Sequence, residues 1–254
     1  MSGELDDLLR IARRAAAIAG EVIMPLYQSS LTVELKADRT PVTLADRRAE
    51  EAVRAFIEAE CPSHGIIGEE LGEKPGDGRF RWVLDPIDGT KSFIHQVPLF
   101  GTLIALERDG EPVVGVIACH AVGETAYASK GGGAFLNDRP ARVSGVTALA
   151  DATLSMTSYH STETLHSGGY HRLVAACGLA RAWGDCYGYL ALAAGRVDVM
   201  LDAEMNLWDV AALWPVVTEA GGRLSTWEGE NRIGDSVIAT NGLLHESVLA
   251  ALRG

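Results

Sequence analysis

The sequence predicts a layered α/β fold. Segments of helical period alternate with short apolar, strand-like runs along most of the 254 residues. Hydrophobic residues make up 47% of the chain, enough for a substantial core. A set of carboxylates falls at strand ends and helix starts, the places where binding residues gather in α/β folds.

The elements follow in order. Ser2 is placed to cap a first helix, in which Leu5, Leu8, Leu9, Ala12, Ala16, Ala19 and Ile23 recur at helical spacing up to Pro25. A second helix is predicted over residues 44–60 and stopped by Pro62. Strands are predicted at 65–68, 81–84, 101–107 and 113–118, with a hairpin turn at 108–112 joining the last two. The Gly/Pro-rich, charged stretch 72–78 reads as an exposed loop. The second half is predicted as strand 152–157, helix 169–177, a short extended piece 181–183, helix 187–194 and strand 197–201. A long helix 207–220, strands 223–226 and 237–239, and a closing helix 243–252 complete it. Pro, Gly and Ser cluster near 139–150, so a soft boundary is expected between an N-terminal α+β part, residues 1–140, and a C-terminal α/β part, residues 141–254.

A formal net charge of −12 argues against nucleic-acid partners, which favour basic surfaces. If the ligand is a phosphate, the same acidity requires cations between it and the carboxylates. The four cysteines are scattered, with no C-x-x-C pair, as expected of thiols in a reducing compartment. The N-terminus lacks a basic start followed by an apolar stretch, and no apolar run is long enough for a membrane span. A soluble, cytoplasmic protein is therefore expected.

The most informative stretch is Trp82-Val83-Leu84-Asp85-Pro86-Ile87-Asp88-Gly89-Thr90. An apolar strand runs into two carboxylates three residues apart, with Pro86 stiffening the backbone and Gly89 allowing a tight turn. Two carboxylates and a main-chain carbonyl at a strand end suit a hard cation such as Mg²⁺. Gly68-Glu69-Glu70 follows the apolar Ile66-Ile67, Asp46 lies near a helix start, and Trp208-Asp209 opens a long apolar helix. Each of these acids taken alone is an ordinary surface or helix-terminus residue; Asp46, Glu69, Asp85, Asp88 and Asp209 gain meaning as a set. The glycines Gly131-Gly132-Gly133 read as a structural turn, and no P-loop motif is present. His160, His166 and His171 match no zinc spacing. Lys36 and Lys91 are close enough in sequence to the acidic segments to reach a phosphate.

The segments Gly68-Glu69-Glu70, Asp85-Pro86-Ile87-Asp88-Gly89-Thr90, and Trp208-Asp209 through Glu219-Ala220-Gly221-Gly222 resemble the signature segments of the inositol monophosphatase family. The resemblance implies an αβαβα sandwich and a phosphoric monoester hydrolase using two or three Mg²⁺ ions, with Mn²⁺ as a substitute. It implies that Glu69, Asp85, Asp88, Asp209 and the Ile87 carbonyl hold the metals, and that Asp46 helps hold a weaker metal or its water. Glu69 and Thr90 match the pair that orients the attacking water; the Gly89 and Thr90 amides match the phosphate cradle. A homodimer is implied on the same ground.

Within the family, Trp183-Gly184-Asp185-Cys186-Tyr187-Gly188-Tyr189, the run Asp202-Ala203-Glu204-Met205-Asn206-Leu207-Trp208-Asp209 and Lys91–His95 are similar to the histidinol-phosphatase branch. Histidinol carries an amine and an imidazole, so its pocket should add carboxylates to those on the metal; Asp185, Asp202 and Glu204 are candidates. The competing reading makes Asp185 a helix cap and puts Asp202 and Glu204 in a solvated loop. The expected reaction is hydrolysis of L-histidinol phosphate, a step of histidine biosynthesis. Inositol 1-phosphate or another sugar phosphate is the alternative substrate, and a non-catalytic metal- or phosphate-binding protein the third reading.

Overall fold

A computed structural model describes residues 2–29, 33–35 and 41–253. Lys36 lies outside the described residues. The chain runs α1 (Ser2–Ile23), β1 (Val33–Leu35), β2 (Pro41–Thr43), α2 (Leu44–Glu60), β3 (Gly65–Gly68), β4 (Gly72–Lys74), β5 (Phe80–Asp88), α3 (Thr90–Ile94), β6 (Gly101–Arg108) and β7 (Glu111–Cys119). It continues through β8 (Glu124–Ser129), β9 (Gly133–Leu136), β10 (Arg139–Pro140), β11 (Thr153–Met156), α4 (Tyr159–Ala176), β12 (Leu179–Arg181) and α5 (Asp185–Ala193). Last come β13 (Val199–Asp202), α6 (Leu207–Val210), α7 (Leu213–Glu219), β14 (Arg223–Ser225), β15 (Val237–Thr240) and α8 (His245–Arg253).

One sheet has the order β10-β9-β8-β7-β6-β5-β3-β4, antiparallel except for the parallel β3·β5 pair. A second sheet has the order β12-β11-β13-β15-β14. Strand alternation explains the layers. On β5, Trp82 and Leu84 point to a core built with α1 and α2, whereas Val83 points to the core shared with α5 and α7. On β13, Met200 faces that same central core, whereas Val199 and Leu201 face an outer core packed by α4 and α8. The result is an αβαβα sandwich: α1 and α2, the larger sheet, α5 and α7, the smaller sheet, α4 and α8.

Several elements differ from the sequence expectation, each for a physical reason. The long helix expected over 207–220 is split into α6 and α7. Pro215 has no N–H to donate to the carbonyl of Ala211, so the hydrogen-bond ladder is interrupted there. The helix expected at 169–177 starts earlier, at Tyr159, because the Ser158 side chain accepts the Ser161 N–H as an N-cap; its backbone is kinked at His166. Part of the expected loop 72–78 forms β4, an edge strand paired with β3. Strands β8 to β10, rich in small residues, extend the larger sheet beyond the hairpin that periodicity identified. The glycine turn is closed internally: the Gly131 and Gly133 amides donate to the Glu219 carboxylate at 2.8 and 2.9 Å. The anion held there is the protein's own side chain.

Candidate active site

The last residues of β5 carry the site. Asp85 and Asp88 both face residues of β6, with a register irregularity between them that lets two carboxylates three residues apart converge. Thr102 Oγ1 donates to the Pro86 carbonyl at 2.8 Å and fixes the bulge. Gly89 follows with φ 81°, a conformation that favours glycine. A Cβ there would also lie 3.0 Å from Asp185 Oδ2 and from the Leu99 carbonyl.

Parallel pairing of β3 with β5 sets Gly68 opposite Leu84, which brings Glu69 beside Asp85. The Glu69 N–H donates to the Leu84 carbonyl at 3.2 Å. Asp209 enters from the C-terminal half on the first turn of α6. There its Oδ2 accepts the Asn206 N–H at 2.6 Å in a capping box. Oxygens of Asp85, Asp88 and Asp209 all lie within 4.8 Å of one another.

Three carboxylates this close and this desolvated cannot all stay ionised without a counter-charge. Burial first, then the charges of Glu69, Asp88 and Asp209, push the Asp85 carboxyl well above the ordinary range. Burial and the charges of Asp185 and Asp209 do the same to Asp88, against the Cys186 N–H that donates to its Oδ2. Burial raises Asp209, offset by its bonds to Asn206. Asp85 Oδ1 is buried and has no hydrogen-bond partner. Native proteins rarely leave such an atom unpaired, and a divalent cation would satisfy it. The donor set therefore fits a hard metal ion held by Asp85, Asp88 and Asp209, with Glu69 and the Ile87 carbonyl alongside.

Raised carboxyl pKa values make a signed prediction about stability. A carboxylate with a raised folded-state pKa stabilises the fold below the unfolded value, near pH 4, and loses that contribution as pH climbs through the folded value. For Asp185, pushed up to about 6, and Asp202, pushed up to about 7, that window runs from about pH 4 to about pH 7. The metal-free protein should thus lose stability as pH rises. A divalent cation binds the deprotonated set, so its stabilising effect should grow over the same range. Thermal melts with and without Mg²⁺ should show a small gain near pH 5 and a larger one near pH 8, about 2.7 kcal/mol at a hundredfold excess over Kd. A gain independent of pH, or none, would contradict the assignment.

Asp46 sits behind this cluster. Its Oδ2 accepts the Thr43 N–H at 2.7 Å and the Thr43 hydroxyl at 2.6 Å, closing a capping box on α2. Its Oδ1 lies 3.4 Å from Thr90 Oγ1, which is also 3.0 Å from the Ile87 carbonyl. Burial, then the charge of Glu70, raises its pKa. Asp46 is not among the described residues that line the open cleft; it meets the site through Thr90.

That cleft, about 510 Å³, is lined by Glu69, Asp85, Asp88, Gly89, Thr90 and Lys91. Thr157, Ser158, Ser161, Asp185, Asp202 and Glu204 complete its lining, and Asp185 lies close enough to Asp88 and Asp209 for its charge to raise the pKa of both. The three acids differ in setting. Asp185 starts α5 at φ 51°, accepts from Ser92 Oγ at 3.2 Å, and takes the Thr157 hydroxyl as acceptor for its own N–H at 2.8 Å. Burial raises its pKa to about 6, opposed by Ser92 and Lys91. Asp202 ends β13 and is buried at the cleft floor, where Tyr189 donates to it at 2.7 Å; burial raises its pKa to about 7. Glu204 is exposed at the rim. Asp202 is thus no solvated-loop residue, and Asp185, though in a first helical turn, turns its side chain to the cleft. Thr157, Ser158 and Ser161 escaped the sequence reading; the available signal was a Ser at the step from strand to helix. Gly184 lets α5 approach β11, because a Cβ there would overlap the Thr157 backbone. None of His160, His166 and His171 lines the cleft; His166 stacks on Trp227 at 3.8 Å and His171 pairs with Glu163.

Comparison with known proteins agrees with this fold. Residues 4–254 match the model of the inositol monophosphatase family. The chain is 41% identical over 249 residues to a histidinol-phosphatase of Chlorobaculum parvum, covering 96% of each. It is 34% identical over 256 residues to an inositol-1-monophosphatase of Mesorhizobium japonicum, covering 97% and 96%. Among solved structures, an inositol monophosphatase from Zymomonas mobilis superimposes with a TM-score of 0.87 at 37% identity, over 98% of both chains. A carboxylate cluster fit for a divalent cation, set in an αβαβα sandwich with relatives of this kind along the whole chain, makes the protein a phosphoric monoester hydrolase of the inositol monophosphatase family.

Proposed function

We propose that the protein hydrolyses L-histidinol phosphate to L-histidinol and phosphate with Mg²⁺ bound, in histidine biosynthesis and in the cytoplasm. The observation that carries this reading is that Asp185, Asp202 and Glu204 add three carboxyl groups to the cleft beside the metal cluster. The hydroxyls of a neutral polyol can bond to such acids, but an amine and a protonated imidazole gain the stronger, charge-assisted contact. The histidinol-phosphatase relative at 41% identity supports the same choice. Among the described residues no helix is long and apolar enough to cross a membrane.

Asp85, Asp88, Asp209, Glu69 and the Ile87 carbonyl would hold the cations. When bound, Mg²⁺ would neutralise the phosphate, acidify a water and stabilise the leaving oxygen. Glu69 and Thr90 then orient the water, with Asp46 holding the Thr90 hydroxyl. The Gly89 and Thr90 amides, at the start of α3, cradle phosphate oxygens, and Lys91 adds positive charge to the same cleft. Asp185 and Glu204 receive the cationic leaving group, and Asp202, which accepts from Tyr189, lines the cleft with them.

Product inhibition tests the reading. L-Histidinol should compete with substrate at concentrations at which myo-inositol has no effect; equal inhibition by both would favour the inositol-phosphate alternative, to which the relative at 34% identity lends support. A homodimer is also proposed. Val97, Tyr159 and Trp183 expose large apolar surface, and each lies within five residues of Ser92, Thr157 or Asp185, which are bonded to one another at the cleft wall. Light scattering should give twice 27.0 kDa, and the monomer mass would refute the dimer.

A further inference from the structure

Helix α2 carries two buried carboxylates one turn apart, Asp46 and Glu50. Asp46 reaches the Thr90 hydroxyl. Glu50 faces the turn that carries Glu69. Its side chain is fully buried, and its two oxygens accept the N–H groups of Glu70 at 2.8 Å and Leu71 at 3.1 Å. Arg54, the next turn along, donates from Nε to Glu50 at 2.8 Å and from Nη2 to the Gly72 carbonyl. Gly68 makes room for this arrangement, because a Cβ at that position would overlap the Glu50 carboxylate. From the other side, the Glu69 N–H is tied to Leu84 on β5.

A wholly buried charge is costly to place, and an apolar residue would fill the same space at lower cost. What the carboxylate adds is direction: two backbone amides following Glu69 are held against α2 while Glu69 itself is held against β5. We infer that Glu50 is a positioning residue for the reaction, fixing the backbone on both sides of Glu69 so that the Glu69 carboxylate stays beside Asp85. One face of α2 thereby aligns both partners of the water, Thr90 through Asp46 and Glu69 through Glu50. Displacements of about 1 Å in such a pair cost about a hundredfold in rate. The catalytic consequence rests on the metal-dependent reading above; the clamp itself does not.

Glu50→Gln keeps shape but sets an amide NH₂ against one of the two backbone donors. Glu50→Asp keeps the charge and the pairing with Arg54 but falls short by one methylene. Both should lower kcat by about tenfold or more with KM for the ester changed less than twofold. Both should weaken Mn²⁺ binding severalfold in the substrate-free protein, followed by electron paramagnetic resonance of the unbound ion. Variants that melt earlier but retain wild-type kcat and Mn²⁺ affinity would reduce Glu50 to a structural role and overturn the inference. Hydrogen exchange on the unaltered protein adds a check that needs no variant: the Glu70 and Leu71 amides should be protected, and rapid exchange at both would overturn the clamp. If the unaltered protein released phosphate from no ester, the hydrolase reading would fail, while the Mn²⁺ and exchange measurements would still decide the place of Glu50.

Discussion

Asp88→Asn is expected to give a folded protein whose turnover falls by at least about a hundredfold, since even residues one step removed from a metal cost about 10–100-fold. The side chain keeps its shape, and its carbonyl oxygen still accepts the Cys186 N–H. What disappears is one of three ionisable carboxyl groups whose oxygens lie within 4.8 Å of one another. The metal-free variant should therefore melt higher than the unaltered protein, because an amide is spared the cost of a desolvated carboxyl beside Asp185 and Asp209. For a chain of this length each kcal/mol of relief raises Tm by about 2–4 °C. Activity and metal-free stability thus move in opposite directions, a pairing that simple misfolding does not produce. Calorimetry and a phosphate-release assay on one preparation check both, and near-normal turnover would remove Asp88 from the metal site.

The second large effect is selective. Asp185→Asn should raise KM for L-histidinol phosphate about 10- to 100-fold, the equivalent of the 1.5–3 kcal/mol that a hydrogen bond to a charged group contributes. KM for inositol 1-phosphate should hardly move. Glu204→Gln should act in the same sense but more weakly, because Glu204 is exposed and its charge is screened. The ranking follows from burial. Steady-state kinetics of both variants on both esters measures it, and an equal loss on the two substrates would take the selecting role from these acids.

Of the three acids whose oxygens the structure brings within 4.8 Å of one another, Asp85 and Asp88 stand out in the sequence because they share one strand end, whereas Asp209 comes from the C-terminal half and was legible only through the resemblance. Asp85-Pro86-Ile87-Asp88-Gly89 sits at the end of one apolar strand, but acids three residues apart on a regular strand point to opposite faces, and it is the register irregularity between them that turns both to one site. The αβαβα layering was legible through the resemblance, and the alternation of Trp82, Val83 and Leu84 between two cores gives its physical basis. The break between α6 and α7 could have been read from Pro215, yet the apolar period runs on across it and masks the stop. Contacts between distant segments were not legible. Nothing local to Thr157 says that its hydroxyl will accept the Asp185 N–H, 28 residues on. Nothing near Glu50, in a helix rich in exposed acids and arginines, marks it as the one turned inward onto the Glu69 turn. Asp202, a candidate pocket acid just past the strand predicted to end at 201, is the last residue of β13 and shares that strand's burial, which the sequence did not mark.

The most direct test of the account is phosphate release from L-histidinol phosphate, inositol 1-phosphate, fructose 1,6-bisphosphate and phosphoadenosine phosphate, each with Mg²⁺ and after chelation. The account predicts no release from any ester without metal. With Mg²⁺, kcat/KM for L-histidinol phosphate should exceed the others by about a hundredfold, or roughly 2.7 kcal/mol. A flat panel, or one led by inositol 1-phosphate, would contradict the role given to Asp185, Asp202 and Glu204; release that survives chelation would contradict the metal site itself.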